Sequence, residues 1–173
     1  MTNSSRTSSA QPSGAEAFRK TVRRDDASAV ADLVRRTGAF NDDEIAVARD
    51  LVDDNLTKGE EASGYYFLFA DGERGIEGYV CLGPVPGAHR RFELYWIAVD
   101  PDARRRGLGR RLQHAAEDLA RSFGAVYLVA ETSTLPAYES ARSFYRSNGF
   151  DVIAEVPDWH DDGDGMLIYR KRL

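Results

Sequence analysis

The segment FELYWIAVDPDARRRGLGRRLQHAAEDLARSFG, residues 92 to 124, constrains the fold more than any other stretch of the chain. From Leu94 to Val99 it is apolar without polar alternation, which suits a strand at a sheet centre that is buried on both faces. Pro101 then ends the strand, since it has no amide hydrogen to offer a ladder. Leu108, Leu112, Ala115 or Ala116, Leu119 and Phe123 recur every three or four residues, so an amphipathic helix follows and stops before Gly124. A buried strand that runs straight into a covering helix commits the chain to a sheet with helices packed on it.

The flanking segments extend that pattern. FRKTVR reads as a short first strand, and Asp25 or Asp26 is the N-cap of a helix that carries Val30, Leu33 and Val34 and closes at Gly38. Asn41 with Glu44 three residues on forms a capping-box pattern ahead of a helix bearing Ile45, Ala48, Leu51, Val52 and Leu56. YYFLFA (65 to 70) and IEGYVCL (76 to 82) are joined by DGERG as a hairpin. VYLVAET is another buried strand, and YESARSFYRSNG a helix with Ala141, Phe144 and Tyr145 inward. DVIAEV and MLIYRK are two last strands around a loop, PDWHDDGDG. The order β α α β β β α β α β β, with hairpins at both ends and a βαβ unit between them, predicts an α+β chain with a mixed sheet flanked by helices. The first seventeen residues are rich in Ser, Thr and Ala without an apolar h-region. They read as a disordered tail ahead of one domain over residues 18 to 173.

Gly107 and Gly109 stand in the first turn of the long helix, where each costs about 1 kcal/mol relative to alanine. Close approach of a ligand to the backbone explains them. A helix N-terminus has unpaired N–H groups and the positive end of a dipole, and without side chains in the way those donors can cradle phosphate oxygens. Arg104, Arg105, Arg106, Arg110 and Arg111 add positive charge around them. The chain as a whole carries a net charge of −5. Broad binding to nucleic acid or to an anionic membrane is therefore not expected, and the arginines act locally. The turn is not a Walker loop, which needs Lys then Ser or Thr, nor a dinucleotide fingerprint, which needs a third glycine.

The hexapeptide Arg104 to Gly109 matches the (Arg or Gln)-x-x-Gly-x-(Gly or Ala) motif of the GNAT superfamily of acetyl-coenzyme A dependent N-acetyltransferases. ELYWIAVDP resembles that family's fourth strand, and ESARSFYRSNGF is similar to its A-x-x-F-Y-x-x-x-G-F segment. The resemblance covers residues 18 to 173, with its strongest motifs between Glu93 and Phe150. It implies a mostly antiparallel sheet whose central parallel strands splay apart, with acetyl-coenzyme A as co-substrate in the gap. Arg104, Arg105, Arg106, Gly107, Leu108, Gly109 and Arg110 would hold the pyrophosphate, and the main chain of Ile97, Ala98 and Val99 would lie along the pantetheine arm. Tyr145 occupies the position of the proton donor to the leaving thiolate. Glu93 occupies that of the base, acting directly or through water, with His160 as the other candidate. Tyr138 stands where similar proteins often carry asparagine, which removes that contact to the cofactor arm.

The expected activity is acetyl transfer to a primary amine in a ternary complex, the acceptor being a small molecule or a peptide amine. The rival readings are a coenzyme A-binding regulatory module without catalysis and an interaction protein whose arginine patch binds acidic partners. Acidic residues at Asp42, Asp43, Glu44, Asp158, Asp161, Asp162 and Asp164 favour a cationic acceptor by steering. Tyr65, Tyr66, Tyr95, Trp96 and Trp159 are candidates for the pocket wall or the core. Cys81, the single cysteine, reads as a core residue and not an acyl carrier, which suits a reducing, cytoplasmic setting. No metal is expected. Counting from Asp158, the twelfth position of a calcium loop would be Tyr169 where a glutamate is needed. Relatives that pair through late strands make a homodimer compatible with the sequence.

Overall fold

In the computed structural model the described residues are 18–104 and 106–173; the expected tail and Arg105 lie outside them. The chain runs as α1 (Asp26–Thr37), α2 (Asp42–Lys58), a short α3 (Glu60–Ser63), β1 (Tyr66–Gly72), β2 (Gly75–Pro84), β3 (Arg91–Val99), α4 (Leu108–Ser122), β4 (Tyr127–Ser133), α5 (Glu139–Ser147), β5 (Asp151–Asp161) and β6 (Asp164–Arg172). The six strands form one sheet in the order β1-β2-β3-β4-β6-β5. All neighbours are antiparallel except β3 and β4, which are parallel. This is the mixed, helix-flanked sheet that the pattern of the chain predicts.

Helices pack on both faces. Leu108, Leu112, Ala116 and Ala120 of α4 join Leu82, Leu94 and Leu128 in one buried cluster, whereas Val30, Leu33, Val34, Ile45 and Val52 of α1 and α2 join Phe67, Phe69 and Tyr79 in the other. The capping box at the start of α2 is complete: the Glu44 amide donates to the Asn41 side chain (2.9 Å) and the Asn41 amide to Glu44 Oε2 (2.8 Å).

Five expectations need correcting. FRKTVR forms no strand; only Arg19 and Phe69 make a bridge. The Asp26 carboxylate accepts from the Arg23 amide and from the Arg19 guanidinium, which turns the chain into α1 after that single pair. PDWHDDGDG is not an open loop. β5 continues through Trp159 to Asp161 with an irregularity between Val156 and Asp161, and the chain reverses only at Asp162 and Gly163. Pro157 is tolerated there because β5 is an edge strand with no ladder to feed on its outer side. Leu56 is exposed, and the helix position that faces inward is Asn55, whose amide donates to the Tyr65 carbonyl (2.7 Å). Phe123 is likewise largely exposed, leaving Ala120 as the last deeply buried residue of α4.

The fifth correction concerns β3 itself. Tyr95, Trp96 and Ile97 are only partly buried, although their composition reads as a sheet centre. The reason is topological. β3 and β4 pair at Arg91–Tyr127, Phe92–Leu128 and Glu93–Val129 and no further. Beyond Glu93 the inner edge of β3 borders a cleft instead of a strand.

Candidate functional site in the cleft between β3 and β4

The cleft is a cavity of about 1010 Å3, at the upper end of the roughly 300–1,000 Å3 common for small-molecule sites. Ile97, Ala98, Val99, Arg104, Gly107, Leu108, Gly109, Arg110 and Tyr145 all line it. Residues that the sequence places on a strand, a turn and two helices thus meet around one space. Arg106 is exposed outside the lining and reaches toward the Asp102 carbonyl (3.5 Å).

The main chain of β3 offers donors to the cleft. The Asp100 amide donates to the Glu77 carbonyl of β2 (2.8 Å). Amides alternate in direction along an extended chain, so those of Val99 and Ile97 point the opposite way, toward the cleft. At its far end Gly107 adopts φ 72°, the left-handed region that favours glycine, and serves as the N-cap of α4 without any side chain capping the helix. A methyl group on Gly109 would come within 3.3 Å of Phe144 and 3.6 Å of Val99, both in the lining. Together these features present bare helix-end donors to a ligand.

Tyr145 is buried from α5 against Tyr169 (ring centroids 5.3 Å) and Phe150 (5.4 Å). Burial, then the neighbouring Tyr169 and Glu93, push its phenol well above the ordinary tyrosine value, so it is protonated throughout the neutral range. Glu93 lies at the fork where the strands part but is not itself part of the cavity lining. Burial, and secondarily the charge of Glu131, push its carboxyl up to about 7. Glu131 of β4 does line the cavity.

Trp96 and Tyr95 line the cleft, while Tyr66 packs against Phe92 and Phe123 away from it, Tyr65 stands edge-on to Tyr95, and Trp159 is exposed. His160 and Asp164 reach the lining from β5 and the start of β6. Of the acidic residues expected near the acceptor, only Glu44 and Asp164 do so. Cys81 is buried with its thiol pushed up by burial. Among the described residues no three His, Cys, Asp or Glu side chains gather as a metal site, and no helix is long and apolar enough to cross a membrane.

Sequence reasoning missed Phe40, Glu131 and Arg142. Arg142 is buried and donates to the carbonyls of Ser133 (2.7 Å) and Leu135 (2.8 Å), fixing the connection between β4 and α5. Its position in a helix that reads as amphipathic around Ala141 and Tyr145 gives it the look of a surface cation. No periodicity signals a buried arginine.

The Acetyltransferase (GNAT) family model matches residues 28–150. A crystal structure of a GNAT-family protein from Desulfovibrio desulfuricans superposes with a TM-score of 0.87 at 40% identity, covering 90% of this chain and 98% of that one. An uncharacterised protein of Mycobacterium leprae is 41% identical over 104 residues, 59% of this chain and 27% of its own length. The N-alpha-acetyltransferase RimI of Mycobacterium tuberculosis is 40% identical over 79 residues, 46% of each chain. The chain therefore spans less than half the length of these two curated relatives. It belongs to the GNAT acetyltransferase family.

Proposed function

We propose that residues 18–173 act as one domain that transfers acetyl from acetyl-coenzyme A to a primary amine in a ternary complex. The observation that carries this reading is the cleft itself, which joins an uncapped glycine helix end to a buried, protonated tyrosine, with a carboxyl poised near neutrality behind its lining.

The bare amides at Leu108 to Arg110 suit a pyrophosphate, with Arg104 and Arg110 completing the charge balance. The cleft-facing amides of Ile97 and Val99 supply donors for the pantetheine amides and for the thioester oxygen as it becomes negative. An alkylamine with a reference pKa near 10.4 is free base in only about one molecule in a few thousand at neutral pH. Glu93, in its carboxylate form, takes the ammonium proton through an intervening water, since it stands behind the lining and not in it. The amine nitrogen forms its bond to the carbonyl carbon, the carbon–sulfur bond breaks, the Tyr145 phenol gives its proton to the sulfur, and the second proton that the nitrogen sheds in becoming an amide returns to the Tyr145 phenolate through water.

The test is thiol release from acetyl-coenzyme A over a panel of primary amines. Turnover with one acceptor supports the reading. Coenzyme A binding without turnover across the panel favours a regulatory module instead, and no binding rejects both.

A further inference from the structure

The lining of the cleft draws on residues from both faces of the sheet. Ile97 and Val99 of β3 pack with the cluster beneath α4, while Trp96 and Ala98 pack with the cluster beneath α1 and α2. The glycine-arginine turn belongs to the first face. On the second face a chain of contacts crosses the gap. Phe40, between α1 and α2, lies 5.0 Å from the Trp96 ring of β3 and 6.0 Å edge-on from Tyr138, which follows β4. The Tyr138 hydroxyl then donates to Glu44 Oε1 at the start of α2, at 2.6 Å and 94 residues away in sequence.

Each end of this bridge is separately anchored. Glu44 is held by the capping box through its other oxygen. Tyr138 sits on the connection that Arg142 fixes through Ser133 and Leu135. The bridge is therefore a built element of the wall, and Glu131 and Asp164 add two carboxylates to the same lining.

We propose that the Glu44–Tyr138 bond is a clasp that narrows the amine-side mouth, so that the site accepts a small cationic amine and refuses a peptide chain. This inference rests on the acetyltransferase reading and names its acceptor class. A peptide amine brings its own backbone and following side chains into the mouth, where they meet the Phe40–Tyr138 rings. A short diamine brings only methylenes, which pack on those rings, and a second charge, which the carboxylates attract.

The experiment measures binding by calorimetry, with no need for turnover. The full chain is titrated with coenzyme A, with coenzyme A joined through an acetyl bridge to 1,4-diaminobutane, and with the same bridge to the α-amine of a hexapeptide. The diamine conjugate is expected to bind tighter than the peptide conjugate by about tenfold or more, the scale on which pocket contacts discriminate. In Tyr138→Ala that ratio collapses toward one, and in Tyr138→Phe, which keeps the ring on Phe40 and so guards against loss of folding, it falls part of the way. Equal binding of the two conjugates to the parent chain, or a ratio unmoved in both variants, overturns the clasp. Failure of coenzyme A itself to bind the parent is a different result: it removes the acetyltransferase reading and this inference with it.

Discussion

Glu93 and Val129 form the last rung of the parallel ladder between β3 and β4, so Glu93 is the residue at which the two strands part. Its carboxyl is withdrawn from solvent by that position, and Glu131, two residues beyond Val129, adds a second negative charge nearby. Both effects favour the protonated form and carry Glu93 from its ordinary value of 4.5 up to about 7.

The rate should follow that titration. Below the Glu93 pKa the carboxyl holds its proton and cannot serve as a base, so kcat/KM is expected to rise with pH through about 7 and then level. Glu93→Gln should remove this limb and lower kcat/KM by about 10²-fold at pH 8. A pH–rate profile of the variant that retains the parent's rise near neutrality contradicts the assignment.

Stability should move the opposite way. Between pH 4.5 and about 7 the folded chain keeps a proton on Glu93 that the unfolded chain releases, so this group's contribution declines as pH rises. Glu93→Gln should therefore melt higher than the parent at pH 8, and the two midpoints should converge near pH 4. Scanning calorimetry at the two pH values reads the difference directly.

Tyr145 makes a separable claim, because its phenol stays protonated where Glu93 titrates. Tyr145→Phe keeps the ring contacts with Tyr169 and Phe150 and removes only the proton donor. The expected result is a fall in kcat of about 10²-fold with coenzyme A still bound. A kcat within twofold of the parent would mean that the sulfur leaves without this proton.

Much of this was legible in the sequence because the relevant signals are local. The glycine pair, the capping box at Asn41 and Glu44 and the period of α4 are read within one or two turns, and each appears where its residues predict, apart from the exposed Phe123 that follows α4. What escaped depends on pairing across the sheet. The apolar run of β3 looks the same whether its neighbour is paired along its length or parts after Glu93, so the partial exposure of Trp96 has no sequence mark. The register of β3 and β4 also decides that Glu131 stands close enough to act on Glu93. The bond between Glu44 and Tyr138 closes over a long separation and needs the fold to bring its ends together. Pro157 and its neighbours read as a loop because turn-forming residues also serve in a bulged edge strand.

The two glycines of the motif should respond differently to alanine. Gly107 has open space around a Cβ but a left-handed backbone at φ 72°, so Gly107→Ala should cost about 1 kcal/mol and lower the melting midpoint by about 3 °C. Gly109 has no such strain, and its methyl would meet Phe144 at 3.3 Å on the cleft wall. Gly109→Ala should therefore melt close to the parent while weakening coenzyme A binding. Reversal of the two effects would mean that these glycines shape the turn and not the ligand surface.

Arg142 gives the last test, of the frame that holds the site. Its guanidinium is buried, pairs with Glu139 at 2.9 Å and satisfies the Ser133 and Leu135 carbonyls. Arg142→Leu preserves most of the apolar stem but removes the guanidinium donor from the buried Ser133 carbonyl and one of the two donors from the Leu135 carbonyl, which keeps the Tyr138 amide at 3.1 Å, and an unsatisfied buried polar group costs about 1–3 kcal/mol. Urea unfolding should show a loss of about 2 kcal/mol or more. Arg142→Lys can restore one of the two bonds as a point charge but lacks the fork that reaches both, so its stability should fall between the parent and the leucine variant. If leucine and lysine unfold alike, the carbonyl bonds are not what secures the connection on which Tyr138 rides.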